Sequence, residues 1–284
     1  MKHLNLDKTF RVDDDAIALG FELITFPGGE PHIKLTAPEK LKGSEVIITH
    51  RITSFNRLGE VLVAVNALRN AQVSEISLFI PCFPGSRQDR VAVPGEALTV
   101  KVYADIINSQ GFKNVAIMDA HSDVTPALIE NCISIDNHEF VKKALANITA
   151  KDCVLISPDA GANKKVKDLA KYLSSEGLKL PVIKCDKARD VETGNITGFE
   201  VYSDDLISSD CIIVDDLCDG GGTFLGLAAE LKKKNAGDVH LVVTHGIFSK
   251  GTQIIESVFK SVTCTDSFPK QDGSTINVIK IKNI

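Results

Sequence analysis

No stretch of this 284-residue sequence is apolar for the roughly 20 residues that crossing a bilayer requires, so a membrane partner is not expected. The first residues, MKHLNLDKTFRVDDD, also lack the apolar core of a secretory signal, which leaves a cytoplasmic location as the expectation. Positive charge is not in surplus. With 32 Lys and Arg against 37 Asp and Glu, the formal net charge is −5. That balance argues against a nucleic-acid partner, because non-specific attraction needs clustered cations to displace counterions. There is no CxxC pair either. Cys82, Cys132, Cys153, Cys185, Cys211, Cys218 and Cys264 are scattered and odd in number. Such spacing fits reduced thiols packed as small hydrophobes better than a zinc site or a disulfide framework. Low-complexity tracts and obvious internal repeats are absent as well.

What is present is the composition of an ordinary soluble protein, 44% hydrophobic and 24% charged. The length suits two α/β domains of roughly 140 residues each. Apolar, β-branched runs at 45–50, 76–81, 114–121, 153–161, 180–186, 211–216 and 238–246 read as strands. Between them, 57–70, 98–109, 162–174 and 224–234 carry apolar residues at helical spacing. Strand and helix in alternation imply mainly parallel sheets flanked by helices. A second strand-helix series begins just after 144–152, which divides the chain into an N-terminal domain, 1–146, and a C-terminal domain, 147–284. Polar or glycine-bearing sequence follows the strands: PGSRQDR, DAHSD, SPDAGAN, DDLCDGGGT and THGIFSKG. In open α/β sheets ligands bind beyond the carboxyl ends of strands, so chemistry is expected there.

The richest of these endings is 211–223, CIIVDDLCDGGGT, ahead of the helix-like FLGLAAELKKK. Glycines let backbone N–H groups approach a phosphate, a helix N-terminus favours negative charge, and Thr223 adds a hydroxyl donor. Asp215 and Asp216 cannot hold a phosphate directly and are suited to accept from sugar hydroxyls or to place Mg²⁺. A tight turn with a helix cap would need only one acid, and this loop has three. Cys218, inside the loop, is either a reactive thiol or an inert packing residue.

VDDLCDGGGT resembles the phosphoribosyl-pyrophosphate loop of type I phosphoribosyltransferases and of ribose-phosphate pyrophosphokinases. Taken alone, RQDR at 87–90 suits a solvated loop or a polyphosphate site equally; guanidinium groups bind phosphate in bidentate fashion and an amide can pair with a base edge. It is similar to the Arg-Gln-Asp-Arg/Lys motif of the pyrophosphokinases, with Thr99 and Lys101 at the following Thr/Ser-x-Lys helix start. The resemblance makes Arg87 and Gln88 contacts to ATP. FPGGE at 26–30 resembles the family's Phe-x-Asp-Gly-Glu, which implies that Phe26 and Glu30 hold adenine across a subunit interface. MDAHSD and SPDAGA resemble segments whose His and Asp bind Mg²⁺ on ATP, implicating His121 and Asp159. A lone histidine is more often structural, and Mg²⁺ prefers oxygen, so this assignment rests on the resemblance alone. DKARD at 186–190 resembles the start of a mobile catalytic loop and makes Lys187 and Arg189 the cations that meet the transferring phosphates.

The resemblance therefore implies two type I phosphoribosyltransferase-like domains and an enzyme using ATP, Mg²⁺ and a 5′-phosphorylated ribose. It would move the β,γ-diphosphate of ATP to the anomeric hydroxyl, giving phosphoribosyl pyrophosphate and AMP. Asp219, Gly220, Gly221, Gly222 and Thr223 would wrap the 5′-phosphate, in a homo-oligomer, dimer or hexamer. The sequence departs from the family at four places. Gly28 replaces an Asp in the adenine loop, the stretch between Lys187 and Asn195 is a few residues short, and the sequence stops at INVIKIKNI without a further helix. Gly220 and Gly221 stand for the Thr-Ala of Asp-Thr-Ala-Gly-Thr. The glycines remove a hydroxyl and clear space, so ADP-ribose, with its 5′-diphosphate, is an alternative acceptor to ribose 5-phosphate. A phosphoribosyltransferase would share the loop but leaves RQDR, SPDAG and DKAR unexplained. A non-catalytic regulatory partner of a synthetase would not need Lys187, Arg189, His121 and Asp159.

Overall fold

A computed structural model describes residues 1–7, 9–10, 16–149, 152–189, 196–269 and 271–281, with backbone only at 188, 189, 196 and 197. The chain forms two compact units, one of Met1–Asp136 joined by the terminal segment from Lys280, the other of Asn137–Ile279.

The first unit holds a parallel sheet of β1 (Lys2–Asn5), β2 (Ile17–Ala18), β5 (Glu45–Thr49), β6 (Glu75–Ile80), β7 (Val115–Met118) and β8 (Cys132–Ile135), in the order β2-β1-β5-β6-β7-β8. Between β2 and β5 the chain makes an antiparallel hairpin of β3 (Phe21–Thr25) and β4 (Pro31–Leu35). The hairpin packs on α1 (Phe55–Asn70), where Gly59 leaves room for Pro31: a β-carbon there would come within 3.2 Å of the Pro31 ring. Helix α1 starts at Ser54, whose hydroxyl accepts from the Arg57 N–H, and buries Leu58, Val61, Ala64, Val65 and Leu68, a stripe at helical spacing. Helices α2 (Thr99–Asn108) and α3 (Val124–Leu128) complete the unit.

The second unit has seven strands: β9 (Cys153–Ser157), β10 (Val182–Arg189), β11 (Ile196–Val201), β12 (Asp210–Cys218), β13 (Val239–Gly246), β14 (Ser261–Thr265) and β15 (Asn277–Ile279). Their order is β11-β10-β9-β12-β13-β14-β15, parallel except for the β10–β11 hairpin. All eight residues of β13 are buried, as expected for a central parallel strand covered on both faces. Helices α4 (His138–Leu145), α5 (Asn163–Ser175), α6 (Gly222–Lys233) and α7 (Gln253–Val258) flank this sheet. The fold is α/β with mainly parallel sheets, as the alternation of patterns predicts.

Several boundaries differ from the sequence reading. The apolar runs at 114–121 and 153–161 stop being strand at Met118 and Ser157, which releases DAHSD and PDAGA as loops. Conversely, β10 continues through Lys187 to Arg189, because pairing with β11 takes up its backbone groups; Lys187 stands opposite Phe199. The hairpin β3–β4 and strands β8, β11, β14 and β15 are short or of mixed polarity and carry little periodic signal.

Candidate functional site

In the second unit three neighbouring strands, β10, β9 and β12, deliver their carboxyl ends side by side. Strand β12 ends in the loop that opens α6. Gly221 has φ 77°, the left-handed conformation that favours glycine, and forms the N-cap of α6. The first i→i−4 bond runs from the Leu225 N–H to the Gly221 carbonyl at 3.0 Å. The N–H groups of Gly222, Thr223 and Phe224 therefore precede the helical ladder and face the direction from which an anion approaches. A β-carbon on Gly222 would meet nothing within 4 Å. The space at Gly221 is different, since a β-carbon there would lie 2.7 Å from Ile255 Cδ1. At Gly220 it would lie 3.3 Å from both Cδ and Cε of Lys250.

Asp215 and Asp216 stand at the mouth of this loop. Burial, then the charge of Asp216 and a hydrogen bond with it, push the Asp215 carboxyl well above its ordinary value. The Asp216 N–H donates to Asp215 Oδ1 at 2.9 Å and counters part of this. Asp159 is close enough to add to the same repulsion. Cys218 is fully buried, and burial followed by the charges of Asp215 and Asp219 drives its thiol up to about 12. Of the two readings open for Cys218, the structure selects the inert one.

Asp159 follows β9. Its Oδ1 accepts from the Ala162 N–H at 3.1 Å, and its Oδ2 meets Lys187 Nζ at 2.5 Å. Burial opposes ionisation, but the Lys187 ammonium and the Ala162 and Gly161 N–H groups together hold the carboxyl below its ordinary value. Lys187 is itself only partly exposed, on the strand that pairs with β11. The hairpin is seated on α6 through Phe199, since a β-carbon on Gly226 would come within 2.5 Å of that ring. Asp159, Lys187 and the loop from Asp215 to Thr223 are thus assembled in one unit. The side chain of Arg189, and the stretch 190–195 in which this chain is a few residues short of the family's usual loop, lie outside the described residues.

The remaining sequence-marked residues belong to the first unit. Arg87 and Gln88 are exposed on the loop after β6. This loop is clamped onto the start of α2: Gly85 has φ 71°, and a β-carbon there would meet Thr99 Cγ2 at 3.0 Å. Asp89 accepts from Ser122 Oγ at 2.6 Å, which ties RQDR to the loop bearing His121. Sequence reading missed this link; the signal available was that both loops follow adjacent strands. Phe26 and Glu30 lie on the β3–β4 turn, closed by Phe26 N–H to the Glu30 carbonyl at 2.9 Å. Phe26 is half exposed and packs against the His32 ring at 5.7 Å. The Glu30 carboxylate occupies the place where a side chain at 28 would project, 2.6 Å from its β-carbon position.

The family implies Mg²⁺. Among the described residues no group of three or more His, Cys, Asp or Glu side chains forms a metal cluster. That is compatible with Mg²⁺, which keeps several waters and commonly takes one or two carboxylates plus substrate phosphates. The donors at hand in the second unit, Asp159, Asp215 and Asp216, are hard oxygens and fit it.

Two domain families match the chain: the N-terminal domain of ribose phosphate pyrophosphokinase over residues 18–111 and the phosphoribosyl transferase domain over 130–274. The ribose-phosphate pyrophosphokinase of Mycoplasma pneumoniae is 30% identical over 234 residues, 79% of this chain and 67% of that protein. Ribose-phosphate pyrophosphokinase 1 of Candida albicans is 30% identical over 249 residues, 84% of this chain and 75% of that protein. The crystal structure of phosphoribosylpyrophosphate synthetase from Mycobacterium smegmatis shares the fold with a TM-score of 0.79 at 22% identity, covering 94% of this chain and 87% of that one. No described helix is long and apolar enough to cross a membrane.

Proposed function

Because the chain belongs to the ribose-phosphate pyrophosphokinase family, an enzyme family of transferases, we propose that it moves the β,γ-diphosphate of ATP to the anomeric hydroxyl of ribose 5-phosphate. The observation that carries this reading is the grouping of Lys187, Asp159 and the Asp215–Thr223 loop on three adjacent strand ends. A phosphorylated sugar and a cation for a phosphoryl group in transit need just such a juxtaposition.

In this reading the amides from Gly220 to Thr223 hold the 5′-phosphate beside Asp219, and Asp215 with Asp216 accept from the ribose hydroxyls. The anomeric oxygen attacks the β-phosphorus of ATP. The bond between that phosphorus and the α–β bridging oxygen breaks, and AMP leaves with the oxygen while the hydroxyl proton is lost. Charge spreads over the moving group, and cations aimed at it stabilise the transition state more than the ground state. Lys187 takes that role, with Arg189 beside it in sequence. Arg87 and Gln88 bind ATP, and Phe26 with Glu30 complete the adenine pocket from a neighbouring subunit of a homo-oligomer. Asp159 in the second unit would hold Mg²⁺, and the resemblance gives the same task to His121 in the first; bound to the ATP phosphates, the ion would neutralise part of their charge. Holding acceptor and ATP in line contributes up to roughly 7 to 11 kcal/mol in favourable cases.

A second reading has ADP-ribose as acceptor. It rests on Gly220 and Gly221 standing for the family's Thr-Ala, which removes a hydroxyl from the phosphate loop; the room expected from these glycines is not open, because Lys250 and Ile255 fill it. Purified protein with ATP and Mg²⁺ is tested against each acceptor, with AMP release and product masses as readout. Faster release with ribose 5-phosphate supports the first reading, and faster release with ADP-ribose supports the second. AMP release with neither acceptor would refute both.

A further inference from the structure

The loop assigned to the acceptor phosphate is short of positive charge. From Asp210 to Glu230 the sequence has no Lys or Arg, while Asp215, Asp216 and Asp219 crowd the loop with carboxylates. A phosphate monoester brings about −1.5 to −2 charges of its own at neutral pH. Backbone amides and one helix end offset only part of that repulsion.

The structure supplies a cation from a distant part of the chain. After β13, the neighbour of β12, the chain is tied directly to the loop. The N–H groups of Ile247 and Phe248 both donate to the Cys218 carbonyl, at 2.9 and 3.2 Å. A turn follows, closed by the Gly251 N–H to the Phe248 carbonyl at 2.9 Å, with Gly251 at φ 82°. At its tip Lys250 is exposed and lays its stem along Gly220. Its Cγ, Cδ and Cε lie 3.6, 3.3 and 3.3 Å from where a β-carbon on 220 would sit. The ammonium is one bond beyond Cε and has no ion-pair partner among the described residues. Gly220 and Lys250 are matched, because a side chain at 220 would contest the space that the lysine stem fills.

We propose that Lys250 is a specificity-determining cation of the acceptor site, binding the 5′-phosphate of the phosphorylated ribose over Gly220. The assignment rests on the reading that the 219–223 loop holds that phosphate. Lysine acts on phosphate as a mobile point charge, which suits a position above a loop rather than within it. It takes the part that a hydroxyl at 220 plays in the family's usual loop.

The test is calorimetric binding of ribose 5-phosphate and, separately, ADP-ribose to wild-type protein, Lys250→Met and Lys250→Arg, with the KM for ATP as a control. Methionine keeps the packing on Gly220 and removes the charge. Lys250→Met is expected to weaken acceptor binding about tenfold, with most of the loss recovered in Lys250→Arg and the KM for ATP held. The acceptor that suffers the larger loss is the one the lysine serves. Wild-type affinity in a folded Lys250→Met protein would overturn the role of Lys250 and leave the loop assignment standing. If the wild-type protein bound neither acceptor and released no AMP with either, the loop assignment itself would fall, and the proposal with it.

Discussion

Two adjacent glycines in the same loop are expected to respond to substitution in opposite ways. Gly220 carries no left-handed backbone, and a new β-carbon would press on two methylenes of the exposed Lys250 stem at 3.3 Å, which can swing aside. Gly220→Thr should therefore change stability by no more than about 0.5 kcal/mol. Gly221 sits at φ 77°, where a side chain costs about 1 to 2 kcal/mol in backbone strain. Its β-carbon would also fall 2.7 Å from Cδ1 of Ile255, a residue only 2% exposed, and overpacking of that kind adds about 1 kcal/mol or more. Gly221→Ala should thus cost roughly 2 to 4 kcal/mol in all, and urea unfolding followed by circular dichroism would resolve the difference. In acceptor binding, Gly220→Thr exchanges the lysine stem for a hydroxyl and should favour ribose 5-phosphate over ADP-ribose, while Gly221→Ala should weaken both. Equal destabilisation by the two changes would show that the conformation assigned to this loop is wrong.

Lys187→Ala should lower turnover by on the order of 10² to 10³ while sparing ATP binding, measured by AMP release and nucleotide titration; unchanged turnover would remove Lys187 from the reaction. Asp215 has a raised carboxyl, so its ionised form costs the fold stability as pH rises through that raised value. Asp215→Asn should make the unliganded protein more stable towards alkaline pH yet weaken acceptor binding about 10- to 100-fold, and a loss of stability instead would contradict the repulsion described. In the first unit, burial opposes ionisation of Asp7, but Arg51, with Nε at 2.6 Å, and Thr9 hold its carboxyl at about 2 against an ordinary 3.8. That pair stabilises the unit fully above the ordinary value and its contribution is lost as pH falls towards about 2. Arg51→Met should cost on the order of 1 to 3 kcal/mol at neutral pH, because Arg57 at 3.5 Å and Thr9 still face the buried Asp7 carboxylate, with the gap to wild type closing below about pH 4. Unfolding curves that stay parallel across that range would refute this.

Much of the architecture was written in local pattern. The apolar runs at 211–216 and 238–246 and the stripe of α1 report hydrogen-bonding period and burial, which depend on near neighbours in the chain. The glycine loop, its three acids and the helix behind it could likewise be placed from letters alone, as could the motifs shared in order with the family. Edges were harder: β11 exists only as the partner of β10, so the strand character of Lys187 could not be seen in DKARD. Sheet order was beyond reach of the pattern too. Pairing of β9 with both β10 and β12 sets Asp159 against Lys187, residues 28 positions apart, beside the phosphate loop.

The sequence by itself therefore determined which chemistry the chain carries, because residue type fixes charge, hydrogen-bonding capacity and backbone freedom. The tertiary structure alone decided which of those groups meet. It put Glu30 into the space of a side chain at 28, paired Asp89 with Ser122, silenced Cys218 by burial and laid Lys250 across Gly220. Each of these depends on strand order and on close packing between distant segments, and neither quantity is encoded in the spacing of neighbouring residues.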